Sequence, residues 1–293
     1  MKTLIALILF SLSATASAEE QPTPAQRYRQ HIKDYNIVSR EIRRSKTVED
    51  RKAVARRFDE FSKKFLDIAD EHHKDPIALT TIRSAVQAII STDSRAQNIA
   101  EFHSGTLVAG SSDDSSQRVV KLLLRDHLKS NKLAPICDRM RFGYRPEFEP
   151  FLVAAIKENP HRDVHGLAQL ALAQLLHNQL RLMDLASDRL DLAKRYGTIY
   201  GRGYIDRLQR IGRDQLVKRI ETAYEAAVKF DDVTNIPFKT SVAEKAKSEL
   251  CELRHLSKGK LAPEIQGQDQ DGRLFKLTDY RGKVVLLYFW QEY

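Results

Sequence analysis

Three groups of residues in this sequence have types and spacings that chemistry could use. His161 and His165 stand four apart with Asp163 between them, a spacing that puts two imidazoles on one helix face. Zinc takes three or four protein ligands, and the sequence offers no evident companion, so no metal site is expected. Cys137 and Cys251 are the only cysteines, and neither belongs to a Cys-x-x-Cys. They are either a structural disulfide closing a loop of over a hundred residues or two small buried hydrophobes on helices. The stretch YGTIYGRGY, residues 196–204, lacks the G-x-G-x-x-G order and follows no strand, which argues against a phosphate cradle and for a tyrosine-bearing loop. His72-His73 reads as an exposed helix end.

The elements that would position these groups are helices over most of the chain. Val54, Phe58, Phe61, Phe65 and Ile68 step by four and three, one face of a helix opened by the capping box Thr47-Val48-Glu49-Asp50. Beyond Asp75-Pro76 a second helix is predicted from Ile77 to His103. Residues 104–116 read as a loop, and Gln117 to Leu128 as helix again. Phe151, Leu152, Ala155 and Ile156 make an apolar face that Asn159-Pro160 terminates, and Leu167 to Leu176 is apolar nearly all round, as in a helix inside a bundle. Helix-turn-helix plans begin at 65, 151 and 223 without a fixed period, a helical array with tetratricopeptide-like hairpins.

The chain has 293 residues, 42% apolar and 30% charged, with a formal net charge of +9. Residues 1–18 read as a signal peptide: Lys2, then apolar Leu4 to Leu12, then the small-residue site Ala16-Ser17-Ala18, with cleavage expected before Glu19. That run is too short for a membrane anchor, and no later segment could span a bilayer. The expected location is exported, periplasmic or extracellular, which makes lipid headgroups, wall polymers and proteins nearer partners than nucleic acid. Cleavage removes one lysine and no acid, leaving +8. Between residues 40 and 64 ten Lys or Arg stand against five acids, a local excess suited to an anionic surface or to a solvated helix face.

At about Leu256 the pattern changes. Gly259, Pro263, Gly267, Gly272 and Gly282 crowd a short span, Asp271-Gly272 sits where a hairpin turn would, and Val284 to Phe289 is continuously apolar, as in a strand covered on both faces. Gly259-Lys260-Leu261-Ala262-Pro263, the Asp-Gly turn, Leu277-Thr278-Asp279-Tyr280-Arg281-Gly282-Lys283 and Phe289-Trp290 follow one another in the order found at the opening of redoxin, or thioredoxin-like, domains of the TlpA and ResA type. The segment resembles that opening over about 35 residues. The helical part, with NPHRDVHGLAQLALAQLL and the Glu-Leu-x-x-Leu helix before Gly259, more loosely resembles the helical region that precedes redoxin domains in exported bacterial proteins.

The resemblance implies residues 19–255 as an α-helical domain and 256–293 as the truncated start of an α/β thioredoxin-like fold. It implies thiol-disulfide oxidoreductase activity on protein dithiols and disulfides, with no cofactor, and a Cys-x-x-Cys immediately after Tyr293. Phe289, Trp290 and Tyr293 would flank that motif, and this chain by itself would not be catalytic. A peroxide-reducing redoxin is a variant, but the Pro that such peroxidases place soon after the core strand has no counterpart in Trp290-Gln291-Glu292-Tyr293. Six apolar side chains from Val284 to Phe289 would contribute about 1.5 to 3 kcal/mol each if buried, so the sequence reads as stopping inside a domain, with a degenerate tail packed on the helices as the alternative. A helical-repeat interaction protein with a vestigial redox domain is the competing function.

Overall fold

The Val54–Ile68 stripe is buried along its length, and the helix that carries it is one of eleven α-helices among the described residues. The computed structural model describes residues 21–41, 47–103, 109–111, 113–235, 240–257 and 259–288. The expected signal peptide and the residues Phe289, Trp290 and Tyr293 lie outside that set.

The first layer is made by α1 (Pro24–Glu41), α2 (Val48–Glu71) and α3 (Ile77–Phe102). The predicted capping box is formed: Asp50 N–H donates to Thr47 Oγ1 at 3.1 Å and Thr47 N–H to Asp50 Oδ2 at 3.2 Å, which supplies two of the donors a helix start leaves orphaned. In the turn to α3, the Ile77 N–H donates to Asp75 Oδ1 at 2.8 Å. Tyr35 of α1 meets Phe58 and Phe61 edge-on, with ring centroids 4.9 and 5.7 Å apart, so α1 covers the aromatic face of α2.

The second layer is built on α7 (Arg162–Asp188). Its 27 residues span about 40 Å at 1.5 Å per residue. Leu167, Leu170, Ala171, Leu175, Leu180 and Leu182 are all buried, because α5 (Ala134–Met140), α6 (Phe148–Glu158), α8 (Leu190–Tyr200), α9 (Tyr204–Ile211), α10 (Arg213–Ala227) and α11 (Val242–Cys251) all pack against it. The α6–α7 turn is pinned by Asn159, whose side chain accepts from His161 N–H at 2.9 Å and donates to the Leu128 and Ser130 carbonyls at 2.7 and 3.0 Å. At Gly166 a Cβ would come within 3.1 Å of the Phe230 ring, so α7 and the end of the α10 segment approach closely there.

Helix α4 begins at Asp113, inside the stretch expected to be loop, and passes at Leu122 into a single π turn, Leu123–His127. Helices α10 and α11 are joined by a two-residue ribbon, β1 (Thr234–Asn235) against β2 (Thr240–Ser241), antiparallel with Thr234 opposite Ser241. The apolar core includes α1 through the π turn Glu252–Leu256 that ends α11, with Leu253 as its last member. Beyond Leu253, no described residue is buried. No described helix is long and apolar enough to cross a membrane. The mainly α class expected from periodicity is what the structure shows.

Candidate functional site

The C-terminal segment is held by local bonds. β3 (Gln266–Gln268) pairs antiparallel with β4 (Leu274–Lys276), Gly267 opposite Phe275. In the turn, Asp269 Oδ1 accepts from the Asp271 and Arg273 amides at 2.9 and 2.8 Å. Gly272 sits at φ 75°, where a side chain would strain the backbone. The Asp-Gly hairpin expected from sequence is therefore present. The carboxylate of Glu264 accepts from Thr278 N and Oγ1 at 3.1 and 2.6 Å, and the Thr278 bond holds its pKa below the usual carboxylate value. That contact fastens the segment before the hairpin to the 3₁₀ turn Leu277–Tyr280 after it.

The apolar run that follows is extended without being paired. Residues 284–288 are in no strand, because no partner strand among the described residues lies beside them to satisfy a ladder. Val284, Leu286 and Tyr288 are 104%, 90% and 81% exposed, while Val285 and Leu287 are 42% and 47% exposed. The alternation is that of an extended chain with one side wet and the other thinly covered. Residues 284–288 are not packed down on the helices.

Both thiols are free, so the two cysteines left open as a disulfide are unbonded here: Cys137 is buried in α5 and Cys251 is exposed at the end of α11. Burial pushes the Cys137 thiol up to about 12, so it stays protonated at neutral pH. That thiol is inert packing rather than a nucleophile.

His161 is the N-cap residue of α7, and the His165 ring turns its Nε2 back onto the Asn159 carbonyl. One imidazole is thus committed to the turn that its partner opens. No cluster of three or more His, Cys, Asp or Glu able to hold a metal is found among the described residues.

The tyrosine-rich stretch is not a loop carrying tyrosines. Gly201 and Gly203, at φ 98° and 71°, confine the chain reversal to residues 201–203, so Tyr196 and Tyr200 fall on α8 and Tyr204 opens α9, all three buried. Their hydroxyls donate to Glu101 at 3.0 Å, Gln97 at 3.0 Å and the Tyr144 carbonyl at 2.9 Å. Beside them lies a buried ion pair that sequence reasoning missed. Arg145 grips Asp93 through Nε at 2.6 Å and Nη2 at 2.9 Å and also donates to the Ile199 carbonyl at 3.0 Å. Burial pushes the Asp93 carboxyl up, while Arg145 and the Ser111 amide draw it down. An acid in mid-helix between Thr92 and Ser94, close to the apolar positions Ile89, Ile90 and Ala96 of α3, was the one available signal.

A small polar cavity of about 170 Å³ lies between α7, α10 and α11, lined in part by Arg141, Gln174, His177, Tyr224 and Glu249. Tyr224 Oη and His177 Nδ1 are 3.2 Å apart. Glu249 accepts from Gln174 at 3.3 Å and from Lys245 at 2.6 Å. Arg141 in turn donates to Gln174 at 3.2 Å. Burial is the main cause holding the Tyr224 hydroxyl above its ordinary value, so it is protonated at neutral pH. The network fastens α11, the helix leading into residues 259–288, to the long central helix. Arg254 adds ion pairs to Glu221 and Glu225 of α10.

Comparison with protein-family models, with curated proteins and with solved structures returned no match for this chain.

Proposed function

We propose that the chain is the helical portion and domain opening of an exported thiol-disulfide oxidoreductase acting on protein dithiols and disulfides. The observation that supports this most is the order of elements after Leu256: an Asp-Gly hairpin, a 3₁₀ turn, then an extended apolar segment with its alternate side chains in water. A redoxin domain uses such a segment as a central strand, and its uncovered side chains fit a strand awaiting neighbours. The nucleophilic thiol would belong to a Cys-x-x-Cys beyond Tyr293, since Cys137 is unreactive and Cys251 stands alone. The helical body would hold or space the protein substrate.

The test is to sequence the locus past codon 293 and express the extended frame. A Cys-x-x-Cys directly after Tyr293, with disulfide reductase turnover lost on Ser substitution of its first Cys, is the expected result. No such motif in any downstream frame would move the assignment to a helical interaction protein. An open, largely apolar groove of about 660 Å³ between α6, α7 and α10, walled by Val153, Leu172, Leu176 and Ala223, favours that second reading.

A further inference from the structure

Arg95 differs from four other arginines that pack into this protein, each of which meets a carboxylate. Arg145 pairs with Asp93, Arg141 with Asp138, Arg195 with Asp191 and Arg118 with Asp67. Arg95, in the last third of α3, has no carboxylate partner among the described residues. Its guanidinium lies over the Phe58 ring at 4.2 Å, Nη1 donates to the Ser91 carbonyl at 2.6 Å, and its buried Nε has no acceptor. A half-buried cation without a counter-charge is costly unless something else supplies the anion.

That side chain lines a groove of about 480 Å³ with Arg51, Ser94, Asn98 and Ile99. Arg51 also lacks a carboxylate partner among the described residues. It donates from Nη1 to His103 Nε2 at 3.3 Å, which leaves its other N–H groups for a ligand. Two guanidinium groups, one on α2 and one on α3, therefore face one groove with a hydroxyl, an amide and an apolar wall.

We propose that this groove binds the phosphate of a phosphomonoester. The class follows from charge and valence. One arginine fork satisfies a carboxylate by itself, whereas two uncompensated arginines match a dianion with three terminal oxygens, the charge a phosphomonoester carries at neutral pH being about −1.5 to −2. The groove is larger than a bare phosphate requires, and Ile99 gives an attached organic group an apolar surface. Within residues 47–64, six Lys or Arg, Arg51 among them, stand against four acids, a small local excess that favours anions near this helix.

The experiment titrates the full chain at fixed ionic strength with inorganic phosphate, and separately with vesicles of phosphatidylcholine containing either phosphatidic acid or phosphatidylglycerol. Saturable phosphate binding is expected, at least tenfold weaker in Arg51→Gln and in Arg95→Gln, partly retained in Arg95→Lys, and unchanged in Arg219→Gln. The last removes the same charge from an arginine already paired with Glu149. Arg51 is partly exposed, so its variant keeps the test decisive if Arg95→Gln fails to fold. Binding to phosphatidic acid vesicles, but not to phosphatidylglycerol, with displacement by free phosphate, would make the source a lipid headgroup. Phosphate binding that the vesicles do not compete for would make it a soluble phosphomonoester. Equal weakening by Arg219→Gln, equal binding to both anionic lipids, or no saturable binding of either probe would overturn the proposal.

Discussion

Leu170 and Leu286 are the same side chain in the same molecule, one with 0% of its surface exposed and the other with 90%. The first sits in α7 with helices packed around it, and the second follows a hairpin with no described residue covering it. The helical body is held by long-range burial, since its core joins residues from Val38 to Leu253. The segment 259–288 is held by bonds that reach no further than Glu264 to Thr278. Short-range hydrogen bonds in water contribute little net stability each, so the two regions differ in what holds them as well as in shape. A hairpin with one thin layer is marginal alone, and the body has no such need of a neighbour.

Hydrogen exchange on the full chain should show the largest effect. Amides of Leu167 to Leu176 are expected to open only with the whole body, at about 5 to 15 kcal/mol, while those of 259–283 should exchange from near-zero opening energies. Equal protection in both would erase the distinction between them. Next in size is the buried ion pair: Asp93→Asn leaves Arg145 without its carboxylate and should lower body stability by about 3 to 5 kcal/mol in urea unfolding followed by circular dichroism. A loss under 1 kcal/mol would place the strength of the contact between α3 and the α5–α6 segment elsewhere. Leu170→Ala should cost about 2 to 5 kcal/mol through transfer and cavity, and Leu286→Ala should stay within about 0.5 kcal/mol. A large cost at Leu286 would mean that the tail packs on the body in solution.

Two pH effects sharpen the comparison because they belong to the body alone. The Cys137 thiol is raised to about 12 by burial, so the folded chain keeps a proton that the unfolded chain releases above about 8.5. Stability is therefore full below that pH and falls as pH rises toward 12, and Cys137→Ala should flatten the first part of that fall. The buried tyrosines Tyr196, Tyr200 and Tyr204 act in the same direction at higher pH. The smallest effect is on the acid side. Burial lowers the pKa values of His31 and His127, so their contribution is present above about 6.5 and lost as pH falls through the depressed values. His127→Gln should make the urea midpoint less sensitive between pH 7 and 5, and an unchanged slope would remove His127 from the account.

Sequence by itself determined the features whose causes are local. The cap at Thr47 and Asp50, the reach of α3 from Ile77 to within a residue of His103, the stop at Asn159-Pro160, the all-round apolarity of Leu167 to Leu176 and the turn at Asp271-Gly272 follow from spacing, propensity and backbone freedom within a few residues. Even there, YGTIYGRGY shows the limit: its glycines were legible as a break, but not that three residues would contain it and leave the tyrosines on two helices. Only the tertiary structure decided which polar groups meet. Asp93 and Arg145 are 52 positions apart, and Tyr200 and Gln97 are 103 apart. Their pairing depends on how α3, the segment between α5 and α6, and α8 stack, which no local pattern encodes. The same reason separates the two apolar runs. Leu167 to Leu176 and Val284 to Tyr288 both read as runs to be buried, one as helix and one as strand, and their fates differ because burial requires neighbours that only the packed fold supplies.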